Sequence, residues 1–150
     1  DVDAPFFCRT LRSMARELLR GHLIDAFRGH FGRLEDDPYY TFPWMLQQDD
    51  RMRTIFGADH CRPILFFRAG GNDVEDRPHY DLHGRDIGRL LQLCRDYDVE
   101  IGLHASHEAG RRPELIAREK AALENAIDRP VTLNRHHFLG LREPQHMEAL

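Results

Sequence analysis

From Phe7 onward, apolar residues recur at steps of four and three: Phe7, Leu11, Met14 and Leu18, with Ala15, Leu19, Ala26 and Phe27 filling out one side. That period is one face of an amphipathic helix, and it predicts a helix of about six turns. Gly21 and Gly29 weaken its interior, and Gly32 followed by Glu35-Asp36-Asp37-Pro38 ends it in a loop. A second helix is expected at Pro43, because a proline in the first turn has no N–H that would need a partner. Aromatic residues gather around that start: Tyr39, Tyr40, Phe42 and Trp44. They serve either as core contacts or as a rim that stacks on sugar rings.

Pro63-Ile64-Leu65-Phe66-Phe67 shows no polar alternation, as expected for a strand of a parallel sheet covered on both faces. Gly70-Gly71-Asn72-Asp73 then opens a polar loop that runs to His83. Ile87, Leu90, Leu91, Cys94 and Tyr97 share one helical face, and residues 99–104 follow as a strand. Pro113 opens another helix, striped by Leu115, Ile116, Ala122, Leu123, Ala126 and Ile127. Residues 131–135 read as a further strand, and Pro144 starts a last helix. If Asp1-Val2-Asp3 ends a first strand, strands alternate with helices throughout. This rhythm gives one α/β domain over residues 1–150, built on a parallel sheet that is open or closed into a barrel. A full eight-stranded α/β barrel needs about 250 residues, so the chain is expected to be the first part of one. Its opening at Asp1 rather than Met fits a piece of a longer protein.

Composition excludes several classes. With 41% hydrophobic and 31% charged residues, the chain has the balance of a globular domain rather than a disordered tail. Its 21 Lys+Arg against 25 Asp+Glu give −4, so the whole-chain sum holds no basic surplus for nucleic acid or an anionic membrane face. Apolar runs such as residues 63–67 fall far short of the roughly 20 residues a spanning helix needs. Cys8, Cys61 and Cys94 are odd in number and form no CxxC, which argues against a disulfide framework or zinc ribbon. None of them stands beside a histidine at an expected strand end, so a Cys–His nucleophile is a poor reading. Lys120 is the only lysine, an arginine bias that we read as compositional rather than functional.

The 10 histidines are a dense supply of imidazoles. In parallel α/β folds catalytic groups sit at the carboxyl ends of strands, and three polar clusters fall at such ends. They are Asp1-Val2-Asp3, His104-Ala105-Ser106-His107-Glu108 and Asn134-Arg135-His136-His137-Phe138. One carboxylate with two imidazoles suits a divalent metal such as zinc with a position left open. A second carboxylate could then act as base. The remaining histidines, His22, His30, His60, His79, His83 and His146, lie on helix faces or in loops and read as surface or capping groups.

These motifs resemble the polysaccharide deacetylases of the NodB-homology type, most closely a bacterial branch that opens with DVDxP. The resemblance runs from Asp1-Val2-Asp3-Ala4-Pro5 through Asp37-Pro38-Tyr39, Ala69-Gly70-Gly71 and Glu100-Ile101-Gly102-Leu103-His104 to Arg135-His136-His137-Phe138-Leu139. It implies a distorted (β/α) barrel, truncated in this chain, that removes acyl groups, chiefly N-acetyl, from a polysaccharide with the help of a divalent metal, zinc in the first place. It implies Asp1 as general base, Asp3 and His104 as metal ligands, and Arg135 as the group that keeps Asp1 ionised, since a nearby guanidinium favours a carboxylate. It also implies a histidine, His137, that protonates the leaving group. The family's second motif is HxxxH, but here Glu108 stands at the second histidine and His107 comes one residue earlier. The third ligand is therefore open among His107, taken first, Glu108 and His137. That departure keeps a second expectation in play: a carbohydrate-binding or assembly domain that retains the fold without the chemistry. The family's later motifs would fall beyond Leu150.

Overall fold

A strand that is apolar on both faces needs cover on both sides; in the run at 64–67 Leu65 and Phe67 are buried, whereas Ile64 is exposed and Phe66 half-buried, so only one face is fully covered. The computed structural model describes residues 1–57 and 60–140. Strands β1 (Ile64–Phe67), β2 (Glu100–Ala105) and β3 (Asn134–His136) form a parallel sheet in the order β1-β2-β3. The start of the chain joins this sheet through one parallel bridge, Val2 to Phe67, in which Val2 N–H donates to the Phe66 carbonyl at 2.8 Å. Register pairs Phe67 with Leu103, and His104 with Arg135. The fold is thus mixed α/β around a small parallel sheet, which among the described residues is not closed into a barrel.

Among the described residues there are five α-helices: α1 (Leu11–Leu19), α2 (Leu23–Phe31), α3 (Phe42–Phe56), α4 (Arg85–Asp96) and α5 (Glu114–Ile127). Helix α4 buries Ile87, Leu90, Leu91 and Cys94, the face read from their spacing, and α5 buries Ile116, Leu123 and Ile127. Together with Val2, Phe67, Leu103 and Leu46 they make one core. Pro43 lies in the first turn of α3, as expected.

The single six-turn helix is corrected to two. Gly21 takes φ +83°, a left-handed conformation that glycine adopts without steric cost, and the chain reverses there. Glu17, buried at the end of α1, accepts from Arg20 at 3.2 Å and pairs with His22 Nδ1 at 3.0 Å, tying the two sides of the break. Gly29 lies so close to Cys8 that a Cβ there would stand 2.6 Å from the Cys8 Cβ, so α2 can settle on the body only with glycine at this position. Leu11, read as part of a buried stripe, is 69% exposed. The strand expected at 131–135 is shorter and later, because Val131 donates its N–H to Glu124 Oε1 at 2.9 Å and pairing with β2 begins beyond it. Tyr40 packs between Phe6 and Phe42, with ring centroids 6.1 and 5.9 Å away, so this part of the aromatic cluster is core. Trp44 is exposed. The helix expected at Pro144 lies outside the described residues.

Leu123 is fully buried on α5 against the sheet. Leu123→Ala is expected to cost about 2–5 kcal/mol, the range for a leucine removed from a core that relaxes only in part. Chemical denaturation monitored by circular dichroism checks this, and a loss below 1 kcal/mol would show that α5 does not carry the core.

Candidate metal centre

Parallel strands bring their carboxyl ends to one edge, and each strand here delivers one polar side chain to it. Asp3 follows the Val2 bridge, Arg68 follows β1, His104 lies near the end of β2, and His137 follows β3 in a 3-10 turn (His137–Leu139). Three of these four converge. Asp3 Oδ1 lies 3.3 Å from His104 Nε2 and 3.5 Å from His137 Nδ1, and the two imidazole nitrogens are 2.9 Å apart. Asp3, His104 and His137 form a group in which each offers one ligand atom, and the three together could hold a metal ion.

The outer hydrogen bonds define which lone pairs point inward. His104 Nδ1 lies 2.8 Å from the Arg135 carbonyl, and His137 Nε2 lies 3.1 Å from the Glu75 carbonyl. A carbonyl oxygen only accepts, so both outer nitrogens carry the proton and donate. In the neutral rings His104 Nε2 and His137 Nδ1 are then both acceptors, and they face each other and a carboxylate oxygen. A metal ligand needs this tautomer, and backbone carbonyls commonly set it. Burial pushes the His104 imidazole below its ordinary pKa, and the positive charge that His137 acquires on protonation acts in the same direction. The Arg135 carbonyl and Asp3 oppose that shift without overcoming it.

Arg68 was missed in the sequence. Its buried guanidinium donates from Nη2 to the Asp3 carbonyl at 3.1 Å and to the Pro78 carbonyl at 2.6 Å, and Nη1 lies 3.4 Å from Asp3 Oδ1. Its own N–H donates to the Tyr80 hydroxyl at 2.7 Å, which in turn donates to the Val2 carbonyl at 2.8 Å. Burial pushes the Tyr80 phenol well above its ordinary range, so it remains a donor. Asp3 is thereby held from both its backbone and its carboxylate. Arg68 directly follows an apolar strand, the same positional signal that singled out His104.

Asp1 and Arg135 also come together, with Arg135 Nη1 3.5 Å from Asp1 Oδ1 and its guanidinium carbon 5.7 Å from the centre of the Phe66 ring. Arg135 thus serves two members of the site: its carbonyl orients His104, and its side chain reaches Asp1.

His107 does not join the group. Its ring pairs with Asp73 Oδ2 at 3.2 Å and lies edge-on to Phe138, while Arg111 also binds Asp73. Glu108 is committed to the Asn72 N–H at 2.9 Å and to Arg112 at 3.0 Å. Of the three candidates for the third ligand, His137 is the one beside Asp3 and His104. With both its nitrogens engaged, His137 is not arranged as a free proton donor.

The reason His107 turns away lies beneath the loop. Fully buried Asp76 accepts the His107 N–H at 2.6 Å and the Glu108 N–H at 3.2 Å. Buried Glu119 accepts the Ser106 N–H at 2.9 Å and its hydroxyl at 2.5 Å. A Cβ at Gly71 would run into the Asp76 carboxylate, so that close approach requires glycine. Glu119 lies within the apolar stripe of α5, three residues after Ile116 and four before Leu123, and that spacing was the available signal of its burial.

Comparison with family models, curated proteins and solved structures finds no match for this chain.

Burial raises the Glu119 pKa above the usual carboxylate range, and the nearby Asp76 charge adds to the effect. A folded-state pKa raised above the unfolded value means the folded protein binds the proton more tightly. The stability this contributes is present below the unfolded pKa and is lost as pH rises through the folded one. Glu119→Gln keeps an acceptor for the Ser106 N–H and removes the titration. The variant is therefore expected to lose less stability than the parent between about pH 4.5 and neutrality, as read by denaturant midpoints; parallel profiles would contradict it.

Proposed function

We propose that this is the metal-binding part of a hydrolase that removes acyl groups, N-acetyl in the first place, from a polysaccharide, within a distorted (β/α) barrel of the NodB type. The observation that carries this proposal is the convergence of two imidazole lone pairs and one carboxylate oxygen, with both outer N–H groups fixed on backbone carbonyls. A tetrahedral zinc at about 2.1 Å from each ligand separates the ligands by about 3.4 Å. The 3.3 and 3.5 Å separations fit that figure, and the 2.9 Å between the rings is somewhat tighter. Two histidines, one aspartate and an open fourth position also suit zinc chemically.

When bound, the ion supplies Lewis acidity to the acyl carbonyl and to water. Everything else falls to the chain. The outer nitrogens of His104 and His137 donate to the Arg135 and Glu75 carbonyls, which turns their inner nitrogens toward the site. Arg68 holds Asp3 by its carboxylate and its carbonyl and so aims it at the site. Asp1, two residues before Asp3 and beside Arg135, is the carboxylate free to take a proton from the attacking water and return it to the departing amine. An acylated glycan is the substrate class, and the exposed Phe138 ring beside His137 and His107 offers a sugar a face to stack on.

The test is metal retention together with acetate release from N-acetylated oligosaccharide, measured on the protein with and without substitutions. One zinc per chain is expected, with Asp3→Ala and His137→Ala each losing it. Arg68→Gln is expected to weaken zinc binding about 10- to 100-fold, as removal of a group that orients a ligand does. Asp1→Asn should retain zinc and lose turnover. Zinc content untouched in Asp3→Ala and His137→Ala would refute the metal site. Glycan binding with zinc bound and no acetate released would refute the hydrolase and leave the binding-domain alternative.

A further inference from the structure

The whole-chain charge of −4 hides a local asymmetry. Residues 9–33, which carry the α1–α2 hairpin, hold six arginines against two acids, Glu17 and Asp25; Arg16 and Arg20 pair with Glu17, and Arg9 and Arg33 pair with Asp37 and Glu35 just beyond the hairpin. In the same hairpin both helices leave large apolar side chains in solvent. On α1, Leu11 and Leu19 are 69% and 90% exposed; on α2, Ile24, Phe27 and Phe31 are 72%, 55% and 70% exposed, with Leu23 beside them. At helical spacing the four α2 residues fall within an arc of about 100°. Ala26 and Gly29, on the other side of the helix, face the body of the protein. The Phe27 and Phe31 rings stack with centroids 6.0 Å apart. Arg12 and Arg28 have no acidic partner among the described residues, so their charge is available to a ligand.

We propose that the α1–α2 hairpin docks the protein on an anionic phospholipid surface, with the apolar side chains at the edge of the acyl layer and the arginines among the phosphates. An apolar face of Leu, Ile and Phe next to arginine is the chemistry of helices that lie in a membrane interface. Neither helix spans, each being nine residues long, and no helix among the described residues is long and apolar enough to cross a membrane. Charge selects lipid over a second copy of the chain. Two such hairpins face to face would bring Arg12 and Arg28 of one copy toward those of the other, whereas an anionic lipid surface attracts each of these arginines by roughly 1 kcal/mol. The whole-chain sum does not reveal this pair, because it does not distinguish paired arginines from Arg12 and Arg28. The proposal stands apart from the hydrolase reading and holds whether or not the metal centre turns over.

Co-sedimentation of the full chain with vesicles of 70:30 phosphatidylcholine and phosphatidylglycerol tests it, against vesicles of phosphatidylcholine alone. Partitioning is expected to be at least about tenfold stronger on the anionic vesicles and to fall as salt rises. Arg12→Gln with Arg28→Gln is expected to lower it roughly tenfold on anionic vesicles only. Ile24→Ser with Phe27→Ser, both at exposed positions, should lower it on both kinds, with circular dichroism verifying that the helices persist. Absence of binding to anionic vesicles by the parent protein would overturn the proposal, as would equal binding by the arginine pair variant. A parent dimer that the serine pair dissolves, without vesicle binding, would assign the face to a second copy instead.

Discussion

Two ring nitrogens stand 2.9 Å apart with a carboxylate oxygen beside them, and because both outer nitrogens donate to carbonyls, two lone pairs would face each other unless a cation or a proton lay between. Like lone pairs repel, and the cost is largest where water is excluded, as at His104, which is 2% exposed. Only a cation or a shared proton relieves such a contact. Burial disfavours the proton on His104, and the outer nitrogens are already spent on carbonyls. The parallel sheet creates this situation. Its strands end together, so residues from the start, the middle and the far end of the chain arrive at one rim.

The charged groups that support the rim are buried. Arg68 and Tyr80 stitch the start of the chain to β1, while Asp76 and Glu119 hold the loop after β2 by its backbone N–H groups. These four residues touch no substrate in the proposal, yet Arg68 and Tyr80 hold Asp3 in place and Asp76 turns His107 away. His107 is held by its own N–H on Asp76 and by its ring on Asp73, so it cannot reach Asp3, and the vacant role falls to His137.

Much of this was legible from periodicity. The continuous apolar run of β1, the faces of α4 and α5 and the proline start of α3 all follow from local pattern, and the strand-end rule selected Asp3, His104 and His137 among its candidates. What local pattern could not carry is long-range. The reversal at Gly21 depends on α2 settling on Cys8, and the delay of β3 depends on Glu124 taking the Val131 N–H. The ranking of His107 over His137 came from motif spacing, whereas the deciding contacts come from Asp73 and Asp76, some thirty residues earlier. Buried Arg68, Asp76 and Glu119 look like surface charges until the elements that cover them are in place.

The most direct test of the central claim is anomalous diffraction at the zinc edge from crystals of the protein grown with one equivalent of zinc. The account predicts a peak about 2.0–2.2 Å from Asp3, His104 Nε2 and His137 Nδ1. A peak on His107 and Asp73 instead, or no ordered zinc at all, would contradict it.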